Sequence, residues 1–397
     1  MTERLYYTDP YLREFDATII ETIDAGGRPG VVLDRTAFYP TSGGQPFDIG
    51  TLHDVKVIDV VDDDEGRIVH VVERAPAAAA VHGRIDWDRR FDHMQQHTGQ
   101  HVLSAAFDRL FGVRTESFHL GAETCTIDLA REVSVRELDE AEAAANRVVW
   151  EDRRVTIRFA DANEAATLGL RKASTRAGTL RLIDVEEFDL SACGGTHVAR
   201  TGAIGIIAVA GTERFRGGTR VTFLCGARAL GGYHALRDAV AGSVRVLSVT
   251  PAELPAAIER LQSDAREQRR QVKDLGLRLA AFEADALADA AEEIAGHRVV
   301  FRAVPDADAN VLKLIAGRVA SRAGHAAVLV GDAPPLPIVV ARASDVGIDA
   351  GRLLRAIVER HGGKGGGRPE LAQGGGIAAP PQEVLATARE LIAGSQG

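Results

Sequence analysis

Two short motifs hold the residues best suited to chemistry. The first is His97-Thr-Gly-Gln-His101. On a helix, positions i and i+4 share a face, so both imidazoles can reach one metal ion. The residue after His97 is not the glutamate of the metalloprotease motif, so that general base is missing. His93 lies one turn earlier and reads as a surface or core histidine rather than a ligand. The second motif is Cys193-Gly-Gly-Thr-His197, whose two glycines let the backbone bend until sulfur and imidazole converge. Cys193 alone could equally be a buried structural cysteine. Together the motifs supply three histidines and one cysteine, the donor types zinc prefers, and Zn2+ is the expected cofactor. Cys125 and Cys225 lack such neighbours and read as small core residues.

The elements that must position these motifs change character along the chain. Residues 1–88 hold β-rich runs at Ala17–Ile23, Arg28–Leu33, Leu52–Val61 and Ile68–Glu73, separated by Gly, Pro and Asp clusters. They predict a small, barrel-like β-domain, with the turn-rich loop Phe38–Pro46 between its runs. Residues 89–232 predict an α+β domain that holds both motifs. Its first helix is expected over Arg89–Phe111 with Gly112 as C-cap, and its second over Ser134–Glu151 with Glu137 completing a capping box. Strands are expected at 124–129, Val155–Phe159, Leu180–Val185, Ala203–Ala210 and Thr219–Cys225.

Residues 250–295 show apolar or small side chains from Leu254 and Ile258 through Val272, Leu275 and Leu279 to Phe282 and Ala286, in alternating steps of four and three. Gln268 is the one polar member of the series. This heptad seam predicts one long helix ending at Gly296, either covering another domain or forming a coiled-coil hairpin or dimer stalk. Residues 296–397 alternate strand and helix signals and contain the Gly-rich run His361–Gly376, a separate α/β domain. The whole is a multidomain α+β chain.

With 397 residues, 26% charged and 45% apolar, the composition is that of an ordinary soluble protein of several domains. Stretches such as Ala203–Ala210 reach about half of the roughly 20 residues a membrane helix needs, so no membrane partner is expected. The charged N-terminus shows no signal peptide, and three cysteines make no disulfide framework, so a cytoplasmic location is expected. The net charge of −9 is uneven: residues 296–397 carry 12 basic against 9 acidic residues, and residues 1–295 carry the deficit. A nucleic-acid partner would have to meet local arginine patches rather than a basic body.

The pair HTGQH and CGGTH, with FYPTSGGQP upstream, resembles the editing domain of alanyl-tRNA synthetases and still more the free-standing AlaX-type editing proteins. The run containing RPELAQGGG resembles the DHH-associated C-terminal domain of the synthetase and of long AlaX proteins. Threonyl-tRNA synthetase editing domains share the two metal-type motifs, but the C-terminal run points to the alanyl side. The chain opens directly with the β-domain, and about 400 residues leave no room for a class II aminoacylation domain. The expectation is therefore an editor acting in trans.

The resemblance implies hydrolysis of the ester joining serine, and secondarily glycine, to alanine tRNA. It implies zinc held by His97, His101, Cys193 and His197, which are then also the catalytic set. It places Thr115, with Ser117 or His119 as alternatives, near the substrate amino acid, and Gly43, Gly44 and Gln45 at the pocket wall. Thr115 could bind the serine hydroxyl. For the glycines, a tight turn without a ligand is the competing reading. Four protein ligands would close a structural zinc site, whereas an open position would let the metal activate water. Lys364 and Arg368, beside flexible glycines that lack the P-loop spacing, could meet an RNA backbone. A homodimer through 250–295 or the C-terminal domain is also implied. The alternatives are a zinc-stabilised tRNA-binding protein without catalysis and a DHH-like phosphoesterase. The phosphoesterase reading lacks an Asp-His-His cluster, because Asp92-His93 is not followed by a second histidine.

Overall fold

The computed structural model describes residues 2–63, 66–171 and 178–394. The chain divides into two units, Met1–Val246 and Leu247–Gly397. In the first unit, six antiparallel strands close into a barrel in the order Glu14–Asp24, Pro29–Leu33, Ile68–Val72, Val55–Asp62, Gly50–Leu52 and Ala80–Ile85. Closure abolishes free edges, and inward side chains such as Val31, Leu33, Leu52, Val57 and Val72 fill the interior. The run expected as one strand over Leu52–Val61 is two, because His53 adopts a positive φ of 52° and reverses the chain.

Helix α1 (Trp87–Phe111) starts on Asp86, whose side chain accepts from Arg89 N, and ends on left-handed Gly112. Sixteen of its residues, Arg90 and all of His93–Phe107, are buried, so it is a central helix rather than an amphipathic surface one. Met94, Leu103 and Phe107 pack with Val148 and Val149 of α2 (Val135–Trp150) and with Ile127, Phe223 and Cys225. The Ser134–Glu137 capping box opens α2. A four-stranded antiparallel sheet runs in the order Ile207–Phe215, Gly218–Cys225, Cys125–Leu129, Thr115–Leu120. A three-stranded one runs Val155–Ala160, Leu180–Val185, Asp189–Ala192, with short α3 (Ala162–Thr167) beside it in sequence. The strand expected at Ala203 starts only at Ile207, because Thr201–Ile204 is a 3-10 turn closed by Gly205 at φ 82°. Helix α4 (Gly226–Leu247) has no sequence expectation; it carries Gly231-Gly232 and buries only Ala229.

One buried ion pair locks α1 to the barrel. Both the Arg90 and the Asp48 side chains are fully inaccessible, and Arg90 Nε donates to both Asp48 oxygens at 3.0 Å. Its remaining donors reach Pro10 O at 2.8 Å and Ala37 O at 2.5 Å. Such a pair is tolerable in a core because each guanidinium nitrogen has a partner.

The second unit has a six-stranded sheet in the order Glu292–Ile294, His297–Val304, His325–Gly331, Leu336–Arg342, Leu371–Ile377, Lys364–Gly367. Helices α5 (Leu254–Asp289) and α6 (Ala309–Ala320) share one core with it, and α7 (Ala350–His361) and α8 (Pro381–Ala393) share another. The long helix stops at Asp289, short of the expected Gly296. Ala295 and Gly296, at φ 52° and 75°, instead turn Glu292–Ile294 back against His297–Val304. The buried stripe of α5 is also not the heptad seam. Ala280, Ala284 and Ala288 pack on Leu312, Ile315 and Val319, while Leu261, Val272, Leu275, Leu279 and Phe282 stay exposed. The Gly-rich run is not an open loop but forms the last two strands of the sheet. Among the described residues, no helix is long and apolar enough to cross a membrane.

Candidate metal centre

His97 and His101 project from the buried middle of α1, and Cys193 and His197 from the turn that follows strand Asp189–Ala192. The ligand atoms of these four residues lie within 4.8 Å of one another. Cys193 Sγ stands 3.3 Å from both His97 Nε2 and His197 Nε2. A tetrahedral zinc with Zn–S of about 2.3 Å and Zn–N of about 2.0–2.1 Å sets neighbouring donors about 3.3–3.6 Å apart. Close approach requires Gly195, where a Cβ would fall 2.2 Å from His97 Cε1.

The outer hydrogen bonds fix which ring nitrogen faces the centre. Gln45 Oε1 accepts from Thr196 N at 3.0 Å and lies 2.8 Å from His97 Nδ1, so that nitrogen carries the proton. Thr98 Oγ1 donates to Met94 O, leaving it to accept from His197 Nδ1 at 3.2 Å. His101 Nδ1 donates to Asp189 Oδ2 at 3.0 Å. All three Nε2 atoms therefore turn toward the sulfur, the arrangement a metal-ligating histidine needs.

The electrostatics agree with a cation site. Burial works against the thiolate, yet the imidazoles of His97 and His197 and hydrogen bonds from His101 and His197 hold Cys193 well below its ordinary range. Burial also opposes charge on His101, but Asp189 and Cys193 raise it to about 9. Burial, then the neighbouring His97, pushes His197 down to about 3. These directions favour a Cys193 thiolate beside a protonated His101, and a divalent cation would compete with protons for the centre. The donor set fits zinc. Cys125 and Cys225 are buried apart from this centre, and burial pushes the Cys125 thiol up to about 11. Buried His93 is not one of the four clustered residues.

Beside the centre lies a cavity of about 570 Å³, whose lining includes His101, Cys193, Thr115, Ser117, Gly43 and Gly44. Thr115 Oγ1 donates to Ser104 Oγ at 2.8 Å, and Ser117 Oγ to Asp128 Oδ2 at 2.5 Å. His119 is exposed and outside the lining. Gly44 sits at φ 82° against Phe118, where a Cβ would fall 2.6 Å from the ring. Gln45 is buried behind His97 rather than at the cavity wall. Lys364 and Arg368 are exposed in the second unit. Sequence reasoning missed Asp189, although Asp189, Ser191 and Cys193 share the period-2 spacing of one strand face. It also missed Arg181 and Tyr6, for which no motif gives a signal.

Comparison with known proteins matches three family models. Residues 10–89 match tRNA synthetases class II (A), residues 180–221 the threonyl and alanyl tRNA synthetase second additional domain, and residues 296–394 the DHHA1 domain. The alanine–tRNA ligase of Pyrococcus furiosus is 35% identical over 94% of this chain and 42% of its own length. That of Halobacterium salinarum is 36% identical over 94% and 42%, and that of Methanosarcina barkeri 32% over 98% and 44%. The chain thus spans less than half the length of these relatives. It carries alanyl-tRNA synthetase-derived domains, a set consistent with an AlaX-like editing protein.

Proposed function

We propose that this chain is an aminoacyl-tRNA deacylase that removes serine, and secondarily glycine, from mischarged alanine tRNA, acting in trans in the cytoplasm. The observation that carries the reading is the convergence of three oriented imidazoles and one thiolate, of which His101 and Cys193 line a cavity large enough for an aminoacyl nucleoside. Bound zinc would supply Lewis-acid polarisation of the ester carbonyl and lower the pKa of an attacking water. His97, His101, Cys193 and His197 would hold it, with Gln45, Asp189 and Thr98 fixing the rings.

Selectivity falls to the chain's own hydroxyls. Thr115 Oγ1 spends its proton on Ser104, so it can accept a hydrogen bond from the serine hydroxyl. A site that depends on such a bond rejects alanine by up to roughly 10⁴–10⁵, because the polar groups would otherwise stay unpaired. Glycine lacks that hydroxyl as well and is therefore the secondary substrate. It arises because a synthetase pocket made for alanine cannot exclude the smaller residue. Lys364 and Arg368 are read as contacts to the tRNA backbone, and the exposed heptad face of α5 as a contact with a second copy of this chain.

The four protein ligands also suit a closed, structural metal, which is the basis of the competing reading as a non-catalytic tRNA binder. A deacylation time course separates the two, using alanine tRNA charged with serine, glycine or alanine and a chelator-treated control. Rapid loss of serine with alanine spared supports the deacylase. Retained tRNA binding with no ester cleaved, in zinc-loaded protein, overturns it.

A further inference from the structure

Among the described residues, five buried side-chain polar atoms have no hydrogen-bond partner. Three of them, Tyr6 Oη, Gln100 Oε1 and Arg181 Nη2, belong to residues lining the one cavity beside the metal centre. Leaving buried polar groups unpaired is costly, and such a concentration at one cavity marks groups that a ligand completes.

Arg181 is the sharpest case. It is only 7% exposed, and its other donors are spent on backbone: Nε on Tyr7 O at 2.9 Å, Nη1 on Cys193 O at 2.7 Å and Gly195 O at 2.9 Å. Its guanidinium also lies 5.5 Å from the Tyr7 ring centre. The other lining arginines are neutralised, Arg4 by Asp62 at 2.8 Å and Arg171 by Asp189 at 2.6 Å. Among the described residues, Arg181 has no carboxylate partner. Its nearest counter-charge is the Cys193 thiolate, which a bound metal would claim, so a buried cation of this kind gains from a second anion.

Other residues of the lining have the opposite character. Gln100 Oε1 is a free acceptor, and its amide nitrogen is held by Ser104 Oγ at 2.9 Å, the same oxygen that Thr115 engages. The exposed carboxylate of Glu116 follows Thr115 in the lining. The lining thus holds acceptors and negative charge as well as a cation with a phenol donor.

We propose that Arg181 Nη2 and Tyr6 Oη form a phosphate subsite that binds the phosphodiester adjoining the terminal nucleoside of the substrate. The aminoacyl ammonium then turns toward Gln100 and Glu116, and the ester lies between them at the metal centre. This rests on the proposed deacylase reading and adds the substrate's orientation to it. The volume agrees, since about 570 Å³ falls within the roughly 300–1,000 Å³ typical of sites for whole small molecules.

The test uses two hydrolysis-resistant amide analogues, 3′-serylamino-3′-deoxyadenosine with and without a 5′-phosphate, titrated onto the zinc-loaded full chain. The phosphate should tighten binding by about tenfold or more, as a charge-assisted contact does. Arg181→Gln should abolish that gain, leaving affinity for the unphosphorylated analogue and the zinc content unchanged. Tyr6→Phe should reduce the gain several-fold, and it decides the matter if Arg181→Gln loses its metal. Equal binding of the two analogues by wild type overturns the subsite alone. Equal weakening of both by the variants shows a structural or oxyanion role and also overturns it. Failure of both analogues to bind wild type removes the deacylase reading and the subsite together.

Discussion

The Asp189 carboxylate sits 3.0 Å from His101 Nδ1 and is itself held by Arg171 Nε at 2.6 Å and Ser191 Oγ at 3.0 Å. It therefore fixes both the tautomer and the plane of the ring whose far nitrogen faces Cys193. Asp189→Asn keeps the size and one acceptor but loses the charge. The expected result is a 10–100-fold weaker zinc affinity with the fold intact, measured by competition against a chromophoric chelator. Unchanged affinity would show that Asp189 does not support the centre.

Adjacent glycines in the CGGTH turn should differ sharply. A Cβ on Gly195 would lie 2.4 Å from His97 Nδ1 and 2.9 Å from Gln45 Oε1, whereas one on Gly194 would meet nothing nearer than Tyr7 Oη at 3.6 Å. Gly195→Ala should purify without zinc and Gly194→Ala with a full equivalent, by elemental analysis. Equal metal content in the two variants would refute the close packing of ring and turn.

These contrasts show what was legible beforehand. HTGQH and CGGTH stand out because donor type and spacing are local in sequence, and the capping box at Ser134 is local in the same way. The outer contacts are not local: Gln45 reaches His97 across 52 positions and Arg90 reaches Asp48 across 42. Single glutamines and arginines carry no periodic signal, so only the fold reveals them. The heptad pattern of α5 shows the opposite error. It gives the helix correctly, but the face packed within the unit is the alanine stripe, whose small side chains allow the closer approach. Helix α4 escaped notice because its glycines and nearly continuous exposure erase the apolar periodicity.

The barrel should lose stability in mild acid. His70 is fully buried, with Nδ1 3.1 Å from Val31 O and Nε2 2.8 Å from Thr36 Oγ1, and burial lowers it from 6.5 to about 4. The folded value lies below the unfolded one, so the neutral ring's contribution is complete above about pH 6.5 and disappears as pH falls toward 4. The loss is about 3 kcal/mol, at roughly 1.4 kcal/mol per pKa unit. His93, which burial also lowers to about 4, adds to the same slope. Both tryptophans, Trp87 and Trp150, lie in the first unit, so their fluorescence reports its unfolding in urea. His70→Gln should remove a measurable part of the pH dependence, the rest resting on His93 and, in metal-free protein, His197. A variant with the wild-type slope would show that His70 does not titrate across folding.

The exposed heptad face of α5 gives the last prediction. Val272, Leu275, Leu279 and Phe282 stand 59–74% exposed on a helix of 36 residues, about 54 Å long at 1.5 Å per residue. Steps of four and three keep these side chains on one seam, and a second copy of the same seam would complete knobs-into-holes packing. The chain should therefore sediment as a concentration-dependent dimer. Leu275→Glu combined with Phe282→Glu should shift it to monomer, while the near-ultraviolet spectrum of the folded units stays unchanged. The alanine stripe at 280, 284 and 288 is untouched by these substitutions, so loss of the dimer would not reflect loss of the unit's core. A wild-type chain that is monomeric at every concentration would leave the seam without a self-association role.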